Sequence, residues 1–222
     1  MNVLLIDDHA LFREGVALLL RPLVDDLATW EAGSCEEALA LIDERGAPDM
    51  VLMDIGLPGM SGLEGIATLR QRLPGLPVVA LSSSDDRDTV LAALDAGAMG
   101  FIPKSSTSSV FVAALKLILA NGIYLPPAVF LSGPRTADEG AGAAAPARSP
   151  ADLGLTARQA DVLHLILQGK PAKLICRELD LSAGTVKAHT SAVLRALNVT
   201  TRTQAVVVAG KLGLRFDKGA AG

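Results

Sequence analysis

Carboxylates end two apolar runs of this sequence, and their placement points to a cation site. Asp7 and Asp8 follow the run Val3–Ile6, and Asp54 follows the run Met50–Met53. An apolar run that stops at an acid is typical of a strand with that acid at its carboxyl end, where open α/β sheets bind ligands. Three carboxylates in one crevice repel one another unless a cation lies between them. Hard oxygen ligands with room for water suit Mg²⁺.

Two further strand ends add polar groups that suit phosphoryl chemistry. Ser82 follows the apolar run Val78–Leu81, and Lys104 follows the short run Phe101–Pro103. An acceptor such as Asp54, a metal and a lysine provide the positioning and charge neutralisation that phosphoryl transfer requires. The sequence has no glycine-rich loop of the P-loop type at these strand ends, which makes an NTPase a poor candidate.

The elements that would position these groups alternate between strands and helices. The patterns predict strands at 2–6, 28–30, 50–53, 77–81 and 100–102, and helices at 9–20, 35–44, 63–72, 88–96 and 107–120. Five such alternations predict an α/β doubly wound, five-stranded parallel sheet. In the flavodoxin-like order 2-1-3-4-5 the first and third strands are neighbours, so Asp7, Asp8 and Asp54 would converge. His9 reads as a loop or helix-cap residue.

Charge and composition divide the chain into two parts with a linker between them. Residues 1–120 hold 8 Lys/Arg and 17 Asp/Glu, a net −9, whereas residues 153–222 hold 10 and 4, a net +6. A basic tail on an acidic front half favours a polyanionic partner for the tail. The small-residue stretch 140–146 predicts a flexible linker, with an Ala-rich helix as the alternative.

The basic tail has the layout of a helix-turn-helix within an all-α four-helix domain. Helices are predicted from 156 to 168, 170 to 179, 182 to 196 and 203 to 211. Val186, Val193 and Leu197 fall on one face of the third of these helices. The opposite face carries small and basic residues, namely Gly184, Lys187, Ala188, Ser191 and Arg195. Such a face can enter a major groove closely, although it would also suit a solvated face of a small bundle.

The front half resembles the receiver domain of bacterial two-component response regulators. The residues that carry the resemblance are Asp7, Asp8, Asp54, Pro58, Gly62, Ser82 and the segment 97–104. It implies that Asp54 accepts a phosphoryl group from a sensor histidine kinase. It also implies a Mg²⁺ site formed by Asp8, Asp54 and the Gly56 carbonyl, with Asp7 acting through water.

The same resemblance implies a conformational switch. Lys104 and Ser82 would contact the phosphoryl oxygens, and Phe101 would move into the space that Ser82 leaves. Plain core packing is the alternative for Phe101, and a simple turn role is the alternative for Ser82.

The basic tail resembles the LuxR-type helix-turn-helix of the NarL/FixJ family. The matching residues include 155–159, Leu163, Gly169, Lys173, Ile175, Leu179, 181–182, 185–187, His189, Leu197, Val199, Arg202 and Ala205. The resemblance implies that Lys187, Ala188 and Ser191 face base edges of double-stranded DNA. The resemblance places Thr185, His189 and Arg195 near phosphates or in support, and Lys173 is a further DNA-binding candidate. The resemblance also implies a homodimer through the last helix, at Thr203, Val206, Val207 and Gly210.

Together these patterns predict a cytoplasmic transcription regulator rather than an enzyme. We expect a receiver at 1–121, a flexible linker at 122–152, a DNA-binding domain at 153–215 and a tail at 216–222. No apolar run reaches the roughly 18 residues of a membrane span, no signal peptide is expected, and the two cysteines suggest no disulfide. The competing hypotheses are a Mg²⁺-dependent phosphohydrolase and a receiver that acts without phosphorylation.

Overall fold

Two compact units make up the computed structural model, which describes residues 1–120, 122–129, 149–214 and 216. The first unit comprises Met1–Leu119 and Tyr124–Val129. The second comprises Ala120–Ile123 and the described residues from 149 onward. Most of the predicted linker, residues 130–148, lies outside the described residues, as does most of the predicted tail.

Five strands and five helices alternate in the first unit. The strands are β1 (Asn2–Ile6), β2 (Ala28–Ala32), β3 (Met50–Asp54), β4 (Val78–Ser82) and β5 (Gly100–Pro103). The helices are α1 (Ala10–Leu20), α2 (Cys35–Arg45), α3 (Gly62–Arg72), α4 (Arg87–Asp95) and α5 (Ser108–Leu119). The side chains of Ser34, Ser61 and Asp86 accept backbone N–H groups at the starts of α2, α3 and α4, which satisfies donors that the first turn leaves open.

The sheet is parallel throughout and has the order β2-β1-β3-β4-β5, as the sequence predicts. All residues of β3 and β4 are buried, because helices cover both faces of a doubly wound sheet. The edge strand β2 is partly exposed and includes Glu31, which explains why its sequence signal is weak. It runs on to Ala32, two residues beyond the prediction, because Ala32 pairs in register with Ile6.

The sheet order determines where the carboxylates lie. β1 and β3 pair directly, with Ile6 opposite Met53, so Asp7 and Asp54 leave adjacent strands at the same edge. β4 and β5 continue that edge, with Ser82 opposite Pro103.

Part of the predicted linker folds with the first unit. The Tyr124 carbonyl accepts a hydrogen bond from the Phe101 backbone N–H at 3.3 Å, and a short 3₁₀ turn follows at Pro127–Val129. Val129 is buried. The segment 124–129 is therefore held by contacts that its composition does not predict.

Four helices lie in the described part of the second unit, after a 3₁₀ turn at Pro150–Leu153. They are α6 (Ala157–Leu167), α7 (Ala172–Leu179), α8 (Ala183–Ala196) and α9 (Arg202–Lys211). Thr156, Ser182 and Thr201 accept backbone N–H groups at the starts of α6, α8 and α9. The left-handed conformation of Asp180, with φ of 52°, ends α7 and starts the tight turn into α8. Among the helices of the described ranges, none combines the length and the apolar character that a bilayer span needs.

Candidate functional site

Three aspartates and a histidine meet at the carboxyl edge of the sheet. One ligand atom from each of Asp7, Asp8, His9 and Asp54 lies within 4.8 Å of all the others. Asp7 and Asp54 are buried, with 1% and 4% of their surface exposed, whereas Asp8 is open to solvent. The donor set is mainly carboxylate oxygen with one solvent-facing side, which fits a hard divalent cation that keeps several waters.

Lys104 lies between the two buried carboxylates. Its Nζ is 2.7 Å from Asp7 Oδ2 and 2.7 Å from Asp54 Oδ2. Burial disfavours the charged ammonium, but the hydrogen bonds and charges of Asp54 and Asp7 outweigh that effect and raise the pKa of Lys104 above its ordinary value. Lys104 is therefore a fixed cation beside the Asp54 carboxylate.

The loop after β3 wraps closely around Asp54. The Gly56 backbone N–H donates to Asp54 Oδ1 at 3.0 Å. Gly62 begins α3 directly over the same backbone: a Cβ there would lie 2.0 Å from the Asp54 carbonyl oxygen. Ser61 and Glu64 form a capping box that fixes the start of α3. The predicted ligand atom, the Gly56 carbonyl, belongs to this loop.

Ser82 and Phe101 occupy buried positions on β4 and β5. Ser82 is 5% exposed, and its Oγ accepts a hydrogen bond from the Ser84 backbone N–H at 3.1 Å. The Lys104 backbone N–H donates to the Ser82 carbonyl at 2.7 Å, which ties the ends of β4 and β5 together. Phe101 is fully buried, as core packing would place it.

His9 lies closer to the acidic cluster than its sequence pattern predicts. It directly precedes α1, as expected for a helix-cap residue, although its side chain forms no cap hydrogen bond. Its ring turns toward the two aspartates instead. His9 Nδ1 is 2.8 Å from Asp8 Oδ1 and 3.2 Å from Asp7 Oδ1. Its position directly after Asp8 was the available signal. The ring remains 71% exposed, so it lines the rim of the cluster.

The predicted polar face of α8 is exposed in the second unit. Val186 and Val193 are buried and anchor the helix. The exposed residues on the opposite side are Gly184, Lys187, Ala188, Ser191 and Arg195. Ser191 Oγ donates to the Lys187 carbonyl at 3.0 Å, so this hydroxyl has a partner within its own helix. The structure thus presents a cationic helix face that carries no large apolar side chain.

The supporting residues predicted for DNA contact are placed differently from one another. Thr185 and His189 are half-buried on α8, and Thr185 Oγ1 lies 2.8 Å from the capping Ser182 Oγ. Lys173 is exposed on α7.

The last helix differs from the expectation at one position. Thr203 is only 1% exposed, so its side chain packs inside the unit and offers no surface to a second copy. Val206 and Val207 are half-buried, and Gly210 is exposed. The buried apolar residues of α9 are the small Ala205 and Ala209, which allow the helix to approach its neighbours closely.

Comparison with known families identifies both units. Residues 3–116 match the response regulator receiver domain. Residues 153–209 match the luxR family of bacterial regulatory proteins. This chain belongs to the two-component response regulators of the NarL/FixJ family. Members of this family are DNA-binding transcription regulators and not enzymes.

Several curated relatives of this response regulator align along almost the whole chain. The glycerol metabolism activator of Pseudomonas putida is 38% identical over 216 residues, which cover 95% of this chain and 96% of the relative. The nitrate/nitrite response regulator protein NarL of Escherichia coli is 34% identical over 209 residues, which cover 93% of each. The shared arrangement is therefore the receiver followed by the LuxR-type domain.

A solved structure agrees with the family assignment in three dimensions. A two-component response regulator of the LuxR family from an Aurantimonas species superposes with a TM-score of 0.53 at 32% identity, covering 58% of this response regulator and 91% of that chain.

Proposed function

We propose that this response regulator is switched by phosphorylation of Asp54 and binds promoter DNA through α8. In this proposal residues 1–121 are the receiver, 122–152 a linker and 153–215 the DNA-binding domain, with 216–222 as a tail. The phosphoryl donor is a sensor histidine kinase, and the activated form is a homodimer. The observation that carries the proposal is the placement of Lys104 Nζ 2.7 Å from a buried Asp54 beside two more aspartates.

The chemistry follows from these side chains. The Asp54 carboxylate attacks phosphorus, an O–P bond forms, and the N–P bond to the kinase histidine breaks with its electron pair returning to the imidazole. Mg²⁺ held by Asp8, Asp54 and the Gly56 carbonyl, with Asp7 through water, would neutralise charge on the phosphoryl oxygens. Lys104 supplies a second positive charge on the buried side of Asp54.

The signal then passes to Ser82 and Phe101. In the proposed active state the Ser82 side chain moves and its hydroxyl donates to a phosphoryl oxygen, whereas in the structure its Oγ accepts from the Ser84 backbone N–H. Phe101 repacks toward the space that Ser82 leaves. The new state is favoured only by the contacts that the phosphoryl group makes with Ser82 and Lys104.

Phosphorylation is tested by intact mass after incubation with acetyl phosphate and Mg²⁺. We expect one phosphoryl adduct in the parent and none in Asp54→Asn. Asp95→Asn is the matched control, because Asp95 is an exposed carboxylate on α4 of the same unit. A parent that stays unmodified while folded and supplied with Mg²⁺ would exclude the phosphorylation switch and leave a receiver that acts without it.

DNA binding is tested separately, with duplexes selected from a random pool by the full-length protein. Lys187→Ala should cost about 1–3 kcal/mol of binding and relax sequence preference if Lys187 faces base edges. Arg195→Ala should weaken binding to all sequences and lower the salt slope by about one, as loss of a phosphate contact does. Arg158→Ala is the control, because Arg158 is an exposed cation on α6 of the same unit. Equal losses of DNA-binding free energy in Lys187→Ala and Arg158→Ala would contradict the proposed role of α8 in DNA binding.

The same assay tests the homodimer. Val207 and Gly210 on α9 offer the half-buried and exposed surface for a second copy, with Val206 beside them. Two-fold symmetric half-sites about ten base pairs apart, or a multiple of that, are expected among the selected duplexes. Single, isolated half-sites would argue against a dimer on DNA.

A further inference from the structure

Arg13 forms a hydrogen bond to the backbone of the Asp7–Asp8 pair. It is the fourth residue of α1, and its Nη1 donates to the Asp7 main-chain carbonyl at 2.5 Å. Its Nε donates to Glu31 Oε2 on the neighbouring strand β2 at 3.1 Å. The Arg13 side chain is 17% exposed, so the guanidinium is largely enclosed between α1 and β2.

These contacts fix the peptide group that joins Asp7 to Asp8, the two aspartates proposed to bind the metal. The Asp7 carbonyl belongs to the peptide bond that joins Asp7 to Asp8, and Arg13 is bonded to that carbonyl. On the other side of Asp7, the backbone N–H donates to the Ala32 carbonyl at 3.1 Å. With both flanking peptide groups held, the directions of the Asp7 and Asp8 side chains are set together.

The ion pair with Glu31 also reduces the repulsion between the Arg13 guanidinium and a cation at the aspartates. A guanidinium next to a cation site repels the incoming ion unless its own charge is balanced. The Glu31 carboxylate, 39% exposed, balances that charge while leaving the donor to the Asp7 carbonyl in place. Outer contacts of this kind orient ligands and tune metal affinity without touching the ion.

We propose that Arg13, braced by Glu31, is a positioning residue for divalent-cation binding at Asp7 and Asp8. The proposal rests on the proposed function, because it assumes that the acidic cluster binds Mg²⁺. Loss of Arg13 should free the Asp7–Asp8 peptide to rotate, which lowers the population of the geometry that the ion needs.

The test is the dissociation constant for Mg²⁺, measured by titration calorimetry on the full-length protein, together with urea unfolding followed by Trp30 fluorescence. Arg13→Met should raise the dissociation constant by about tenfold or more, as loss of outer contacts does elsewhere. Arg13→Lys keeps one donor and the charge, and we expect an intermediate value. Glu31→Gln leaves the guanidinium unbalanced and should also weaken binding.

Arg72→Met is the matched control. Arg72 also pairs with a carboxylate of a neighbouring element, Asp43, but it lies on the last turn of α3. It should leave the dissociation constant unchanged. A parent that binds Mg²⁺ normally alongside unchanged affinity in both Arg13 variants would overturn the positioning role, even if those variants were less stable. A parent that fails to bind Mg²⁺ would instead overturn the proposed function, and the positioning role with it.

Discussion

Replacing Lys104 by methionine should make the first unit depend on a divalent cation for stability. The side chains of Lys104, Asp7 and Asp54 are 12%, 2% and 5% exposed, so the lysine balances two largely buried carboxylates. Removing one partner of a buried ion pair costs about 3–5 kcal/mol, because the remaining charges stay buried without compensation. With a urea m-value of about 2 kcal/mol/M, the unfolding midpoint would fall by roughly 1.5–2.5 M.

Mg²⁺ should recover much of this loss in the variant. A ligand at a hundred times its dissociation constant adds about 2.7 kcal/mol to the free energy of unfolding. In the parent, an ion must compete with Lys104 for oxygens of Asp7 and Asp54, whereas in Lys104→Met those oxygens are free of the ammonium. The increase in stability caused by Mg²⁺ should therefore be larger in the variant.

The assay is urea unfolding followed by fluorescence of Trp30, the only tryptophan in the sequence. Trp30 lies in β2, so its signal reports the first unit and not the second. Lys116→Met is the control, because it removes an exposed lysine from α5 of the same unit. Equal midpoints for Lys104→Met and Lys116→Met in EDTA, or equal effects of Mg²⁺ on parent and Lys104→Met, would refute the reasoning.

The difference in the free energy of unfolding between the parent and Lys104→Met should depend on pH with a definite sign. Because the folded protein raises the pKa of Lys104, its contribution to stability is fully present below its unfolded-state pKa of about 10.4. That contribution is lost as pH rises through the higher folded-state pKa. The stability gap between parent and Lys104→Met should therefore hold from neutral pH to about pH 10 and narrow above it. A gap that narrowed already between pH 7 and 9 would contradict the raised pKa.

Two further experiments test close packing at Gly62 and burial at Cys35. Gly62→Ala should lower the free energy of unfolding by about 1–3 kcal/mol in the same urea assay, because its Cβ would lie 2.0 Å from the Asp54 carbonyl oxygen. Gly15→Ala is the control, because its Cβ would meet nothing within 4 Å, and it should be neutral or stabilising. Burial, followed by the charges of Glu36 and Glu64, raises the pKa of Cys35 to about 11. Iodoacetamide at pH 8 should therefore alkylate the half-buried Cys176 before Cys35. Equal alkylation rates of the two cysteines in the native protein would contradict this.

The sequence could predict the main features of the site because strand ends are local signals. An apolar run that stops at Asp7 or Asp54 indicates both the strand and the edge at which its last residue lies, and the 2-1-3-4-5 order then brings the two runs together. The helix starts at Ser34 and Ser182 were equally local, because a capping side chain and its helix are close in sequence.

Features that depend on side-chain direction could not be predicted in this way. Arg13 reaches the Asp7 carbonyl across the turn into α1, and Glu31 joins it from another strand, so no spacing rule shows the contact. On α9 the usual pattern is inverted: Thr203 is buried while Val207 is half-exposed. Hydrophobicity alone therefore gives no direction for that helix.

The formal charges at the sheet edge explain why the proposed cation and the proposed phosphoryl group would share one site. Asp7, Asp8 and Asp54 contribute −3 and Lys104 contributes +1, which leaves −2 when all four are ionised. One divalent ion brings this sum to zero. A phosphoryl group carries about −1.5 to −2 and replaces the −1 of the Asp54 carboxylate, so without the ion the cluster would become more negative by about 0.5 to 1. The ion should consequently be needed for phosphorylation, and the Lys104 ammonium is then free to turn from Asp7 toward the new oxygens.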